Sequence, residues 1–533
     1  MAAGQISRIV RTVLDDPRTL VGKLLCCSTL ILLLFRLAGG KAKRSGGSIP
    51  PSPWRLPIIG NFHQLTANVH QGLDALSLKF GPMFMMRLGS VPVCVISSGE
   101  PAREVTNTHD AIFCNRGSTK ASRALFSGKN DILFAPDNKF WKLTRRLCVS
   151  ALLSPTNVQS LHHVREEEVA QMVTVIRSNQ YQAVDLSDLF YKLASSILFR
   201  AVLGKKIGTD DEGRRASNEL RMKLAVQSTN AITDLVSFED FIPALSWLDH
   251  LTGLNRKLKK TAQTVHAMLD QVIDEREEIQ SGNNIGGDDN DNSSRNDGKG
   301  LVNIILELQR KGMTGLDNLT RIDIRNIVLD MVLAGVSTTA AAMKWTMAEL
   351  ARNPQIMKKV QEEVRSVIGD KSEIRECDID RMKYLKCVIK EGLRMHSPII
   401  IGRRAATSVT IGGFKLPAGV TAWINLWAVH RNPTVWDRPS EFLPERFLNA
   451  SYNFKGQDQV YFPFGLGKRI CPGVDFAMTE VEYALASLLC WFDWELPDGV
   501  LMENLDLLCS RSKPSHEIAP LRLVPRPRPA PST

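Results

Sequence analysis

Apolar residues recur at three- and four-residue intervals through Asn157 to Asn179, Asn255 to Ile279, Arg321 to Arg352 and Asp380 to His396. That spacing lays one apolar stripe along a helix, and the Gly and Pro residues between the stretches mark where each helix stops. The third stretch has the clearest ends. Thr320 followed three residues later by Asp323 makes a variant of the capping box, and Asn353-Pro354 stops the helix, predicting about 30 residues or about 45 Å. Period-two alternation is confined to short pieces: PMFMMRLG with VPVCVISS from Pro82 to Ser98, and SVTIGGFKLPAGVTAWIN from Ser408 to Asn425. Gly-Gly and Pro-Ala-Gly supply the turns. The pattern predicts a mainly α fold with small β-sheets, an α+β arrangement, in one large domain over residues 62–524.

The two ends and one internal stretch depart from this pattern. LLCCSTLILLLF, Leu24 to Phe35, is almost wholly apolar, and it lengthens to Leu20–Ala38 if Lys23 and Arg36 snorkel to the interfaces. That is just long enough to span a bilayer, so residues 1–45 read as a membrane anchor with a basic flank. A cleaved signal peptide is the rival reading, because small residues follow at Ala38 to Gly40. Basic residues flank the run on both sides, Arg8, Arg11, Arg18 and Lys23 before and Lys41, Lys43 and Arg44 after, so charge does not fix the orientation. Residues 46–61 contain PPSPWRLPIIGN, whose prolines predict a stiff extended hinge. SGNNIGGDDNDNSSRNDGKG, Ser281 to Gly300, has one aliphatic residue, Ile285, and reads as a disordered loop, as does the tail at residues 525–533.

Charge and cysteine content narrow the partners. Lys and Arg number 67 against 56 Asp and Glu, a net charge of +11 over 533 residues. This favours a phospholipid surface or an acidic protein. No zinc-finger spacing, RNA-binding aromatic signature or basic heptad region is present, so nucleic acid is not an expected partner. Ten cysteines are too sparse for a disulfide scaffold and form no paired C-x-x-C zinc pattern. Cys94, Cys148, Cys387 and Cys490 lie among apolar neighbours and read as inert core residues.

Cys471 is different. It ends a glycine-rich loop, Phe462-Pro-Phe-Gly-Leu-Gly-Lys-Arg-Ile-Cys-Pro-Gly473, that runs into an apolar helical stretch. Gly465, Gly467 and Gly473 permit backbone geometry that could turn amides towards a thiolate and tune a bound metal. Phe464, Gly467, Arg469, Cys471 and Gly473 together resemble the haem-binding signature of the cytochrome P-450 family, F-x-x-G-x-R-x-C-x-G. Four further motifs are similar to that family's. Glu391 and Arg394 in KEGLRMHSP match E-x-x-R, and Arg446 in PERF matches the arginine that completes a buried ionic network with them. Trp141 and Arg145 match W-x-x-x-R, whose side chains reach a haem propionate. Arg403 falls where relatives place another propionate-binding residue, with Arg404 the alternative. Ala334-Gly-Val-Ser-Thr-Thr339 looks like A-G-x-(D/E)-T-T at the oxygen-binding kink.

The resemblance implies a cytochrome P-450 fold with Cys471 as the iron ligand. It implies haem b as cofactor, held by Trp141, Arg145, Arg403, Phe464, Gly467, Arg469 and Gly473. Thr338 takes the place of the threonine that helps deliver protons, and Ser337 stands where the family usually has an acid; a hydroxyl relays a proton but holds no negative charge. The implied reaction inserts one oxygen atom of O2 into a hydrophobic plant specialised metabolite, a terpenoid first, with phenylpropanoids and alkaloids as alternatives. Electrons are expected from NADPH through NADPH-cytochrome P-450 reductase, with the chain anchored in the endoplasmic reticulum membrane and facing the cytosol. A pocket is expected from Phe113 to Leu133, Ala334, Ile399 to Ile401 and Cys509 to Ser512. Two rivals remain: a haem-thiolate isomerase or dehydratase that needs no reductase, and a haem-binding redox protein without turnover.

Overall fold

The computed structural model describes residues 49–128, 131–204, 226–229, 231–232, 235–280, 300–311, 319–397, 400–449, 452–454, 460–499 and 520–528. The expected anchor, residues 1–45, and the Cys509–Ser512 segment lie outside these residues, as do Ile399 and all of the Ser281–Gly300 stretch except Gly300.

Helix dominates, as the periodicity requires. The longer helices are α1 (Val69–Phe80), α2 (Lys139–Cys148), α3 (His162–Ser178), α4 (Leu186–Leu203), α5 (Leu254–Gln280), α6 (Leu301–Arg310), α7 (Arg321–Arg352), α8 (Pro354–Ile368), α9 (Lys383–Met395) and α10 (Val474–Trp491). α7 has the expected bounds because its caps are local chemistry: Thr320 N donates to Asp323 Oδ2 at 2.8 Å, Asp323 N donates to Thr320 Oγ1 at 3.3 Å, and Asn353 closes the other end. Two other helices differ from expectation. The stretch from Asn157 is divided at Leu161, between Pro155–Ser160 and α3. α9 starts at Lys383 rather than Asp380, because Glu376–Arg381 form a 3-10 turn fixed by Arg375 N donating to Asp378 Oδ2 at 3.1 Å.

The main sheet has the order β1-β2-β7-β4, from β1 (Met83–Leu88), β2 (Val91–Ile96), β4 (Ile400–Arg404) and β7 (Thr421–Asn425). β1 and β2 form the expected hairpin, while β2 runs parallel to β7, with Val93 opposite Thr421. β4 is antiparallel to β7, with Ile401 opposite Ile424. A small sheet of β3 (Val184–Asp185), β9 (Arg522–Pro527) and β8 (Phe492–Glu495), and a hairpin of β5 (Val409–Ile411) with β6 (Phe414–Leu416), complete the set. β9 corrects the tail reading: Pro525, Arg526 and Pro527 pair with Trp494, Asp493 and Phe492. The prolines are tolerated because β3 is two residues long and leaves that part of β9 with one neighbouring strand, so no ladder donor is missed.

The proline-rich segment is also tied down. Met85 N donates to Pro51 O at 2.8 Å, and the buried Asn61 accepts from Arg87 N at 2.8 Å through Oδ1. The largest apolar cluster packs α4, α9 and α10 around α7. The approach of α4 to α7 is close at Gly335, where an added Cβ would lie 2.8 Å from Leu198 Cδ2. α7 is therefore the axis of the domain, and its AGVSTT segment lies at the centre.

Candidate active site

The cysteine loop takes its shape from two glycines. Gly465 and Gly467 have φ of +77° and +70°. At Gly467 an added Cβ would sit 1.9 Å from Thr106 O, so both the dihedral and the close approach require glycine there. Lys468 N donates to Asp110 Oδ2 at 2.7 Å, and Cys471 N donates to Phe464 O at 3.0 Å, fixing the turn on which the sulfur sits. Gly473, at φ −95°, meets nothing with an added Cβ; its contribution is an amide directed at the Cys471 sulfur.

Cys471 is exposed and lines a large cavity. Burial pushes its thiol pKa up from 9.0, against the lowering influence of the Gly473 amide, Arg145 and Arg116. The free thiol is thus protonated at neutral pH, and a coordinated metal cation would displace that proton. Cys94, Cys148, Cys387 and Cys490 are buried thiols pushed upwards by burial, the first to about 12, consistent with inert core residues.

The cavity has a volume of about 1280 Å³, above the roughly 300–1,000 Å³ of an ordinary small-molecule site. Ala334 and Thr338, one turn apart on the otherwise buried middle of α7, are exposed to it. Thr338 Oγ1 donates to Ala334 O at 2.5 Å, the local competition expected of a hydroxyl in a helix. Ser337 is rotated off this face and is not among the lining residues. Phe464 lines the cavity and meets Phe454 edge-on, with centroids 5.5 Å apart. Leu133, Phe134, Leu198, Met331, Leu333, Ile400 and Ile401 supply apolar wall.

Four arginines, Arg116, Arg145, Arg403 and Arg469, converge on one side of this cavity. Arg469 donates to the carbonyls of Cys114 at 2.8 Å, Ile132 at 3.1 Å and Ala135, and its guanidinium lies 3.9 Å from the Trp141 ring centroid. Arg145 donates to Ile470 O, and Arg116 to Leu133 O at 2.9 Å. Arg403 is 1% exposed, with Nε and Nη1 lacking any hydrogen-bond partner. Strand alternation leaves Arg404 exposed, so Arg403 is the buried member of the pair. Among the described residues none of the four lies within ion-pair distance of a carboxylate. Burial and the neighbouring arginines lower Arg403 to about 9 and Arg116 to about 10. Trp141 stands one layer back: its indole N–H donates to Ile132 O at 3.0 Å and the ring does not line the cavity.

A second ionic network lies away from the cavity. Arg394 donates to Glu391 through Nε at 2.7 Å and Nη2 at 2.9 Å, and both side chains are inaccessible. Arg446 Nε reaches the same carboxylate at 3.2 Å, as does Leu443 N at 2.9 Å. Every remaining Arg394 donor meets a backbone carbonyl, of His430, Pro439 or Glu441.

Arg116 is the site residue that the sequence reading missed. The signal available was weak: no acid occurs between Asp110 and Asp131, yet the same stretch holds Lys120, Arg123 and Lys129. Only the fold separates Arg116 from Lys120 and Arg123, which pair with Glu239, Asp240 and Asp249. The orphaned guanidinium donors of Arg403 and the unneutralised wall around it fit an anionic cofactor edge, and the sulfur of Cys471 faces the same space. The residues present therefore fit a haem.

A cysteine facing a chamber with an unneutralised cationic wall, set below the central helix of this fold, defines the haem-thiolate class of oxidoreductase. The chain belongs to the cytochrome P-450 family, whose pattern matches residues 50–517, and it is a cytochrome P-450 monooxygenase. It is 39% identical to a phenylacetaldehyde oxime monooxygenase of Prunus mume, over 95% of this chain and 94% of the relative. It is 36% identical to the desmethylyatein synthase of Sinopodophyllum hexandrum, over 90% and 93%, and 37% identical to an indoleacetaldoxime dehydratase of Arabidopsis thaliana, over 91% and 94%. A zebra fish cytochrome P-450 solved with abiraterone shares the fold, with a TM-score of 0.68 at 23% identity over 86% of this chain and 99% of that one. Family membership carries a haem cofactor, O2, a redox partner and a small-molecule substrate.

Proposed function

We propose that the Cys471 sulfur would hold the iron of haem b and that the enzyme hydroxylates a hydrophobic plant specialised metabolite, with terpenoids the first class to test. The observation that carries this reading is the aliphatic wall of Leu133, Leu198, Met331, Leu333, Ile400 and Ile401 in the cavity that Cys471 and Thr338 share. Haem, when bound, supplies the activation of dioxygen: two electrons and two protons reduce one oxygen atom to water while the other enters the substrate. The protein's part is to hold and position. Cys471 donates electron density as thiolate, supported by the Gly473 amide. Arg403, Arg469, Arg145 and Arg116 hold the cofactor's anionic edge, and Trp141 keeps Arg469 in place from behind. Thr338 offers its Oγ1 to a proton within the cavity. Ser337 acts only indirectly, through Thr338 or water, because its side chain is off the cavity face. Electrons come from NADPH through NADPH-cytochrome P-450 reductase at the endoplasmic reticulum membrane, to which residues 1–45 anchor the chain.

The test is expression of the full chain with reductase in microsomes, NADPH, and a panel of terpenoids, phenolics and aldoximes, with products identified by mass. An oxygenated terpenoid is expected. A reduced carbon monoxide complex without the thiolate Soret band, in folded protein, overturns the reading, and Cys471→Ser is expected to abolish that band. Ser337→Asp is expected to change the ratio of product to leaked peroxide; an unchanged ratio removes Ser337 from proton supply.

A second reading has its own support. The similarity to an aldoxime dehydratase, together with the missing acid at Ser337, favours turnover of an aldoxime without reductase. Aldoxime consumption with reductase omitted would select it.

A further inference from the structure

Two buried carboxyls take no part in the chemistry above. Asp330 on α7 is 2% exposed and Asp131, in the loop before α2, is 4% exposed. Asp330 precedes Ala334 by four residues and Thr338 by eight, so all three share the helix face that lines the cavity. Its Oδ2 accepts from Ile132 N at 2.5 Å, while its Oδ1 has no hydrogen-bond partner. Asp131 Oδ1 accepts from the amides of Phe134 and Ala135, the latter at 3.1 Å. Two carboxyls from segments 198 residues apart thus grip the amides of one short loop.

The carbonyls of that loop hold the arginine wall. Ile132 O accepts from Arg469 and from Trp141, Ala135 O from Arg469, and Leu133 O from Arg116. The loop is therefore a rigid link, with carboxyls bound to its amides and guanidiniums to its carbonyls. No cation among the described residues forms an ion pair with either aspartate. The charged and titratable groups facing them are Arg116 and Arg469 across the loop, the Cys148 thiol on α2, and each other.

We propose that the Asp131–Asp330 pair retains a single proton, carried on Asp330, and that in this form it clamps loop 131–135 to α7 and positions Arg469 and Arg116 for the cofactor's anionic edge. The physical reason is that two ionised carboxylates side by side in the interior repel, and one keeps its proton instead. Burial raises both groups, Asp330 the more strongly because it is the more deeply buried, and the neighbouring Asp131 adds to its rise. The orphaned Oδ1 is the atom that bears the proton, leaving Oδ2 to accept the Ile132 amide. When Asp330 releases that proton to solvent the pair passes from one negative charge to two. Arg116, held by the single carbonyl of Leu133, is then drawn towards the dianion and away from the wall. A carboxyl raised in this way is protonated at low pH, so the clamp holds below its midpoint and fails as pH rises through it. The pair acts through the arginines and is a positioning device.

This inference rests on the haem reading, and its test separates the two. Full-length protein loaded with haem is assayed for haem transfer to apomyoglobin across the whole pH range over which it stays folded, as wild type, Asp330→Asn and Asp330→Leu. Wild type is expected to lose haem about tenfold faster across a single-proton transition, Asp330→Asn to stay slow at every pH, and Asp330→Leu to be fast throughout. Infrared difference spectra of the same proteins, with or without haem, are expected to show in wild type a protonated carboxyl stretch that Asp330→Asn lacks. An Asp330→Asn protein that keeps the wild-type pH profile, or a wild type without that stretch, overturns the proposal. Absence of a thiolate Soret band in all three proteins while the stretch persists overturns the haem reading instead.

Discussion

Two groups of buried and half-buried arginines in this enzyme face opposite electrostatic situations. Arg394 and Arg446 share the carboxylate of Glu391, and every other Arg394 donor meets a carbonyl, so this network is complete within the protein. Arg116, Arg145, Arg403 and Arg469 have carbonyl partners or none, and no carboxylate. The first group has spent its charge on the fold, while the second keeps it available. A buried cation without an anion is costly and persists where a ligand completes it. The contrast between the two groups locates the binding site without any bound molecule.

The complete network is the more costly of the two to disturb. Arg394→Ala leaves the buried Glu391 carboxyl with Arg446 as its remaining guanidinium, and such a loss typically costs about 3–5 kcal/mol. Denaturant unfolding of the cofactor-free protein should register it, and the protein should fail to accumulate at physiological temperature. Arg403→Leu should do the reverse. Removing a buried, unpartnered cation should leave cofactor-free stability unchanged or raised, while haem affinity falls by about 10- to 100-fold for the loss of charged hydrogen bonds of about 1.5–3 kcal/mol. Equal destabilisation of cofactor-free protein by both variants would erase the distinction.

A smaller, pH-dependent effect joins the complete network to the cysteine loop. His430 is fully buried between them: its Nε2 accepts from Phe462 N at 3.2 Å, Nδ1 meets Ser397 Oγ at 2.9 Å, and its carbonyl accepts from Arg394. Burial, then Arg394 and Arg431, lower its pKa from 6.5 to about 3. The folded imidazole is neutral where the unfolded one is already protonated, so the unfolded chain binds the extra proton. Stability should therefore fall as pH drops from 6.5 towards 3, by at most about 1.4 kcal/mol per unit. His430→Gln should flatten that acid limb in urea midpoints measured across the range. Smallest of all, Lys192→Ala on the exposed face of α4 removes an i,i+4 pair with Asp188 and should change stability by less than about 0.5 kcal/mol.

Much of this was written locally in the chain. The ends of α7 follow from Thr320, Asp323 and Asn353-Pro354, and the hairpin of β1 and β2 from its alternation and the intervening Gly89. The cysteine loop, the Glu391–Arg394 spacing and PERF each lie within a dozen residues, so their geometry is set by short-range bonding and their resemblance to the family was visible. The tail was misjudged because Pro525 and Pro527 read as breakers, whereas their place in β9 depends on pairing with β8, about 30 residues earlier and beyond the reach of local propensity.

What the sequence determined, then, was the helical frame, the cysteine loop and the family, because caps, periodicity and short motifs act over a few residues. Tertiary structure alone decided which arginines would go without a partner, that Arg116 and not Arg123 would reach the cavity, that Ser337 would turn away from it, and that Asp131 and Asp330 would meet. Charge compensation depends on distance in space. A residue 198 positions away can supply it or withhold it, and no local pattern records which.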